Sequence, residues 1–160
     1  RLESVGKLDF TYGKIEIRAK LPTGVGTWPA VWMLGSNIGS VGWPACGEID
    51  ILESVGKNPN QNHSSLHSSG RSGNTPDTGT IKVPNDNTEF HIYTADWRAD
   101  YIKFSVDNKV FYTFVNSDKF PFNKNFYLIV NLAMGGVWGG SVDPSFTSSA
   151  LEVDYIRVYN

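Results

Sequence analysis

Three carboxylates, Glu48, Asp50 and Glu53, stand within six positions of the stretch CGEIDILESVG, residues 46 to 56. The residues between them, Ile49, Ile51 and Leu52, are apolar. That is the composition of a buried strand, and buried strands rarely hold unpaired acids. Acids placed close together do not ionise together freely, so one of them keeps its proton. A proton donor beside an anionic carboxylate is what a retaining glycosidase needs, one group as nucleophile and one as acid/base, about 5–5.5 Å apart. A solvated acidic face and a metal site are the other uses of such a cluster. A solvated face does not explain the flanking apolar residues, and calcium ligands usually come from loops.

Backbone geometry sharpens the reading. In a regular strand Glu48 and Asp50 share a face, and Glu53 points the other way, into the core. One extra residue among Ile51 and Leu52 would turn Glu53 back onto the face of the other two. The hydrophobic pattern therefore predicts a β-bulge, with Ile49 and one of the bulge pair in the core. Glu48 and Glu53 are then about four strand steps apart, roughly 13 Å at ~3.3 Å each. Side chains leaning towards a shared ligand shorten that gap. Asp50, between them, can hydrogen-bond the nucleophile and help keep the other group protonated.

The elements that must hold this strand read as strands too. YGKIEIRAKLP alternates, with Ile15, Ile17, Ala19 and Leu21 against Lys14, Glu16, Arg18 and Lys20. WPAVWML puts Trp28, Ala30 and Trp32 on one face. EFHIYTADWR, YIKFSVDNKVFYTF and NFYLIVNLAM follow, the second a hairpin turning at Asp107 and Asn108. LEVDYIRVY ends the chain, with Leu151, Val153, Tyr155, Arg157 and Tyr159 opposed to Glu152, Asp154, Ile156 and Val158. The polar stretch from Lys57 to Asn87 reads as long surface loops broken by one short strand near Leu66. Regular strands without helical periodicity predict an all-β antiparallel sandwich or barrel, a single domain over residues 1–160.

Composition narrows the partners. Charged residues are 19% of the 160 and the net charge is −2, which leaves no footprint for nucleic acid or an anionic membrane. No apolar run approaches the ~20 residues that cross a bilayer. The single Cys46 excludes an internal disulfide and reads as a small buried residue. The chain opens on RLESVGKLDF, already strand-like and without an initiator Met, which predicts that the natural chain begins further upstream. Sugar rings stack on aromatic faces, so a glycan cleft should show tryptophan beside the carboxylates. Trp28 and Trp32 share a strand face, Trp43 precedes the motif, and Trp138 follows the MGG turn, from where it can reach in across the opposite rim.

YGKIEIRAKLP, GTWPAVWML, WPACGEIDILE, NLAMGGVWGG and VDYIRVY together resemble glycoside hydrolase family 16, in its endo-β-1,3-glucanase (laminarinase) branch. The resemblance covers the whole chain, and its E-x-D-x-x-E motif is highly specific. It implies a β-jelly-roll of two curved antiparallel sheets, with several further strands upstream of Arg1. It implies Glu48 as nucleophile, Asp50 as its assisting acid and Glu53 as general acid/base. It implies an endo-acting, retaining hydrolase of β-1,3-glucan, secreted and monomeric. Mixed-linkage glucanases, other family hydrolases of galactans and glucans, and a jelly-roll that binds glycan without cutting it are the alternatives.

For the remaining residues the resemblance changes the reading. Trp28, Trp32, Trp43 and Trp138 become subsite residues. Glu16 and Arg18, by themselves an ordinary surface ion pair, are implied to hydrogen-bond sugar hydroxyls in the cleft. His67, by itself a structural histidine, is implied to stand near the acid/base. Asp154 is implied to be a ligand of a structural calcium, and no cofactor is implied for catalysis.

Overall fold

Alternation dictates the first long strand. In β3 (Gly13–Lys20) every second residue is buried, with Ile15, Ile17 and Ala19 wholly inaccessible to solvent. The computed structural model describes residues 1–160 and pairs β3 antiparallel with β8 (His91–Trp97) on one side and β12 (Glu152–Tyr159) on the other. β9 (Tyr101–Val106) and β10 (Lys109–Val115) complete a five-stranded sheet in the order β10-β9-β8-β3-β12. The β9–β10 hairpin turns at Asp107 and Asn108, both at positive φ, as a two-residue loop with the twist of a β-sheet demands.

The second sheet carries the carboxylates. Its order is β1-β11-β4-β5-β6-β7, with β2 also pairing β11. These are Leu2–Glu3 (β1), Asp9–Phe10 (β2), Thr27–Gly35 (β4), Glu48–Glu53 (β5), Gln61–His67 (β6), Asp77–Lys82 (β7) and Phe126–Met134 (β11). The two sheets enclose one 21-residue hydrophobic core. Val31, Met33, Ile49, Leu66 and Phe126 enter it from one sheet, and Ile17, Tyr93, Trp97 and Phe104 from the other. Each fully buried side chain of this kind contributes about 1.5–3 kcal/mol by leaving water. The architecture is an all-β jelly-roll sandwich. Its two helices, Ile38–Val41 (α1) and Gly136–Gly139 (α2), have four residues each, and no helix is long and apolar enough to cross a membrane.

The bulge lies in β5, as the hydrophobic pattern predicts. Against β4 the pairing steps from Trp32↔Asp50 to Val31↔Leu52, so Ile51 is the extra residue. Both Ile51 and Leu52 are in the core, one more than expected, because the bent backbone turns two successive side chains inward. Cys46 is fully buried in a second, smaller cluster with Leu34, Tyr127 and Ile129, and burial pushes its thiol up.

Two expectations are corrected. The polar stretch 57–87 is not a set of loops with one short strand. It contains β6 and β7, and four consecutive β6 residues, Ser64 to His67, are buried. Its inward positions, Asn62, Ser64 and Leu66, include two polar residues, which hides the strand from a search for apolar alternation. The Ser64 hydroxyl and the Asn62 Oδ1 are hydrogen-bonded across to β5, where an unpaired buried group would cost about 1–3 kcal/mol, while the Asn62 Nδ2 has no partner. The last strand does not alternate throughout. Its register with β3 shifts between Val153 and Tyr155, so Asp154 is a bulge residue and the faces exchange. Beyond the bulge Ile156 and Val158, rather than Tyr155 and Arg157, pack on the core.

Candidate active site

Strand register assembles the site. On the outer face of the seven-stranded sheet, Trp32 pairs with Asp50, Ala30 with Glu53 and Leu34 with Glu48. The partners of the two glutamates are thus four positions apart on β4, and the bulge brings Glu53 to the face of Glu48 and Asp50. Glu48, Asp50 and Glu53 line one concavity with Trp28, Trp32 and Asn131. Glu48 and Glu53 also border an adjoining one with His63, His67 and Trp138.

Each glutamate is held by an indole. Trp43 donates its Nε1–H to Glu48 Oε2 at 2.9 Å, and Trp28 donates to Glu53 Oε1 at 2.8 Å. The third indole, Trp32, donates to Asn131 Oδ1 at 2.7 Å. Trp138 meets Trp28 edge to face with ring centroids 5.4 Å apart, and meets His63 in the same way at 5.0 Å. His67 Nε2 lies 3.2 Å from Asp50 Oδ2 and 3.6 Å from Glu48 Oε1.

Burial and mutual repulsion shift all three acids upward. Burial, and then the neighbouring Asp50 carboxylate, push Glu48 up to about 8, against the pull of His67 and the Trp43 indole. Asp50 is only 4% exposed, and burial followed by the charge of Glu53 holds it well above the ordinary aspartate range. Burial raises Glu53 as well, while the Trp28 hydrogen bond and the charge of His67 lower it. The three groups cannot all be anionic near neutrality, so the cluster stores at least one proton. Glu48, Asp50 and His67 also offer donor atoms within 4.8 Å of one another, a spacing open to a cation as well as to a proton.

The structure brings Glu48, Asp50, Glu53, Trp28, Trp32, Trp43, His67 and Trp138 together. Glu16 and Arg18 are not among them, which corrects that expectation. They lie on the outer face of the five-stranded sheet, on the far side of the core, because their neighbours Ile15, Ile17 and Ala19 point inward. Glu16 pairs there with Lys14, and the Arg18 guanidinium covers the Phe90 ring. Asp154 is on the same outer face and accepts from Arg18 Nη1 at 2.7 Å. Asp154 belongs to no cluster of three or more carboxylate, histidine or cysteine donors, and its carboxylate is taken up by the Arg18 guanidinium.

His63, Ser65 and Asn131 are the residues that sequence reasoning misses. His63 pairs with Glu53 across the β5–β6 ladder, and burial lowers its basicity. It stands four residues before His67, on the same face of β6, together with Ser65. That spacing is a signal only once the segment is known to be a strand.

The site is an open, tryptophan-lined face on which three neighbouring acids are all shifted upward. The sequence profile of glycosyl hydrolases family 16 matches residues 1–157, and the chain belongs to that family. It is 44% identical to a beta-glucanase of Rhodothermus marinus over 99% of this chain and 61% of that protein. It is 36% identical to a keratan-sulfate endo-1,4-beta-galactosidase of Sphingobacterium multivorum, over 99% of this chain and 39% of that one. Among solved structures, the laminarinase from Flavobacterium sp. UMI-01 superposes with a TM-score of 0.95 at 48% identity, covering 99% of this chain and 71% of that one. The chain therefore spans less than two thirds of the length of these curated relatives.

Proposed function

We propose that the protein is an endo-acting, retaining hydrolase of β-1,3-glucan. One observation carries the reading. Two glutamates on the same face of a bulged strand are each fixed by a tryptophan indole, with a buried aspartic acid between them in sequence. Near neutrality the Glu48–Asp50 pair holds a proton, and when Glu48 reacts Asp50, the more deeply buried of the two, retains it. Glu48 then carries the charge, helped by the Trp43 N–H.

The chemistry follows in two displacements. The Glu48 carboxylate attacks the anomeric carbon while protonated Glu53 gives its proton to the departing glycosidic oxygen. The result is a glycosyl ester on Glu48 and a free chain end. Glu53, now anionic, takes a proton from water, and the resulting hydroxyl attacks the same carbon and releases Glu48. Two inversions give net retention. The reaction as drawn uses only the chain's own carboxylates and water. Trp28, Trp32, Trp43 and Trp138 serve as sugar platforms along an open face, which favours internal cuts.

The glucan linkage rests on the laminarinase and beta-glucanase likenesses. A galactan is the second reading, favoured by the Sphingobacterium relative. A polymeric substrate is met outside the cell, so we place the protein there. Every group the reaction uses comes from one chain, so a monomer suffices. Proton NMR of a fresh digest of laminarin, lichenan and keratan sulfate tests the reading. Laminarin should yield β-anomeric oligosaccharides of mixed size at the first time point. An initial α-anomer would overturn retention, glucose as the sole early product would overturn endo action, and cleavage of keratan sulfate alone would overturn the glucan assignment.

A further inference from the structure

We propose that Ser64 and Asn62, buried on the core side of β6, are positioning residues that hold Glu53 in its acid/base orientation by stapling the β5 bulge. This rests on the acid/base reading of Glu53.

The bulge leaves one residue of β6 opposite two of β5. Pairing runs Asp50↔Ser65 and then Glu53↔His63, so Ser64 faces the Ile51–Leu52 pair. The regular ladder fails at that point, and backbone groups of β5 lose their partners on β6. Two side chains replace them. Ser64 donates its hydroxyl to the Ile51 carbonyl at 2.7 Å, and Asn62 Oδ1 accepts the Glu53 N–H at 3.2 Å. Ser64 and Asn62 are both wholly buried. The staples lie on either side of Leu52, one at the bulged residue and one at the backbone of Glu53 itself. Upstream, Glu48 and Ile49 keep ordinary partners in His67 and Leu66. The staples therefore bear on Glu53 and not on Glu48. In a regular strand Glu53 would face the core, so whatever fixes the bulge fixes where this carboxyl points.

The consequence is selective. Loosening the bulge displaces the acid/base while sparing the nucleophile and the sugar platforms. A misplacement of about 1 Å can cost on the order of 10²-fold in rate. Ser64→Ala is expected to lower kcat on laminarin by roughly 10- to 100-fold with KM unchanged. The kcat/KM for an aryl β-glucoside with a good leaving group, whose departure needs no acid, should fall far less. Ser54 supplies the control. Its hydroxyl donates to the Gln61 carbonyl across the same strand pair, outside the bulge. Ser54→Ala removes a comparable hydrogen bond and should leave kcat as it was.

A double-mutant cycle with Glu53→Gln decides the case. If Ser64 acts through Glu53, Ser64→Ala in the Glu53→Gln background adds no further loss. Asn62→Leu, close in volume and without the acceptor, carries the same cycle independently should Ser64→Ala fold poorly. Losses that multiply in the cycle, equal losses on laminarin and the aryl glucoside, or a Ser54→Ala loss matching Ser64→Ala would each overturn the inference while leaving Glu53 as acid/base. Full activity in Glu53→Gln alone would overturn the acid/base reading, and the positioning role with it.

Discussion

The indole of Trp28 donates to the carboxylate of Glu53 across 2.8 Å, from the strand next to the one that carries the acid. A donor at that distance favours the ionised carboxylate, against the burial that favours the neutral acid. Trp28→Phe keeps an aromatic face for sugar and removes the donor. Glu53 then holds its proton to higher pH. The basic limb of the kcat/KM profile on laminarin should move upward, because that limb reports the acid form of the free enzyme. An unmoved basic limb would show that Glu53 is not the group titrating there.

Glu48→Gln removes the nucleophile with little change in volume. Turnover of laminarin should fall on the order of 10⁴-fold or more, because a reaction split into two displacements loses both. Binding of laminarin oligosaccharides, read by calorimetry, should survive within a few-fold. Retained turnover would remove Glu48 from the role proposed for it.

The same substitution should change the pH dependence of stability. A carboxyl held above its ordinary value binds more protons folded than unfolded, so the unfolding free energy falls as pH rises through that range. For Glu48 the interval runs from 4.5 to about 8. The stabilising contribution is full below it and gone above it. The melting temperature of the native protein should therefore decline across this interval, and Glu48→Gln should decline less. Parallel curves for the two proteins would contradict the upward shift.

Glu16, Arg18 and Asp154 make a prediction of the opposite kind. Arg18 and Asp154 form a half-exposed ion pair on the face away from the carboxylates, and such pairs contribute about 0–1 kcal/mol. Glu16→Gln and Arg18→Ala should leave KM and kcat on laminarin unchanged. Added calcium should not raise the melting temperature through Asp154, and Asp154→Asn should respond to calcium as the native chain does. A several-fold rise in KM in either of the first two variants would place them back in the substrate's path.

Much of this was legible in the residue order because local rules sufficed. Alternation in β3 and β4 gave the strands and their faces. Asp107 and Asn108 announced a hairpin turn, since both tolerate positive φ. The bulge in β5 could be deduced because a charged residue three places after Asp50 had no acceptable home in a core. That three acids and several tryptophans gather on one face is therefore legible in the residue order.

What the residue order by itself determined was the chemistry available on each strand. What only the tertiary structure decided was which strand faces which. Alternation in β3 does not say which surface its polar face lines, and the stacking of the sheets sends Glu16 and Arg18 to the side opposite the carboxylates, away from the cleft that the resemblance implies for them. The bulge at Asp154 exchanges the faces of β12, and no hydrophobic conflict in the sequence demanded it. β6 was invisible because Asn62 and Ser64 are polar at inward positions. Their partners are the Ile51 carbonyl and the Glu53 N–H, backbone groups of a different strand. A hydrogen bond between distant segments leaves no period in the sequence of either one. It exists only once the ladder is formed, which is why the structure, and not the pattern, accounts for those residues.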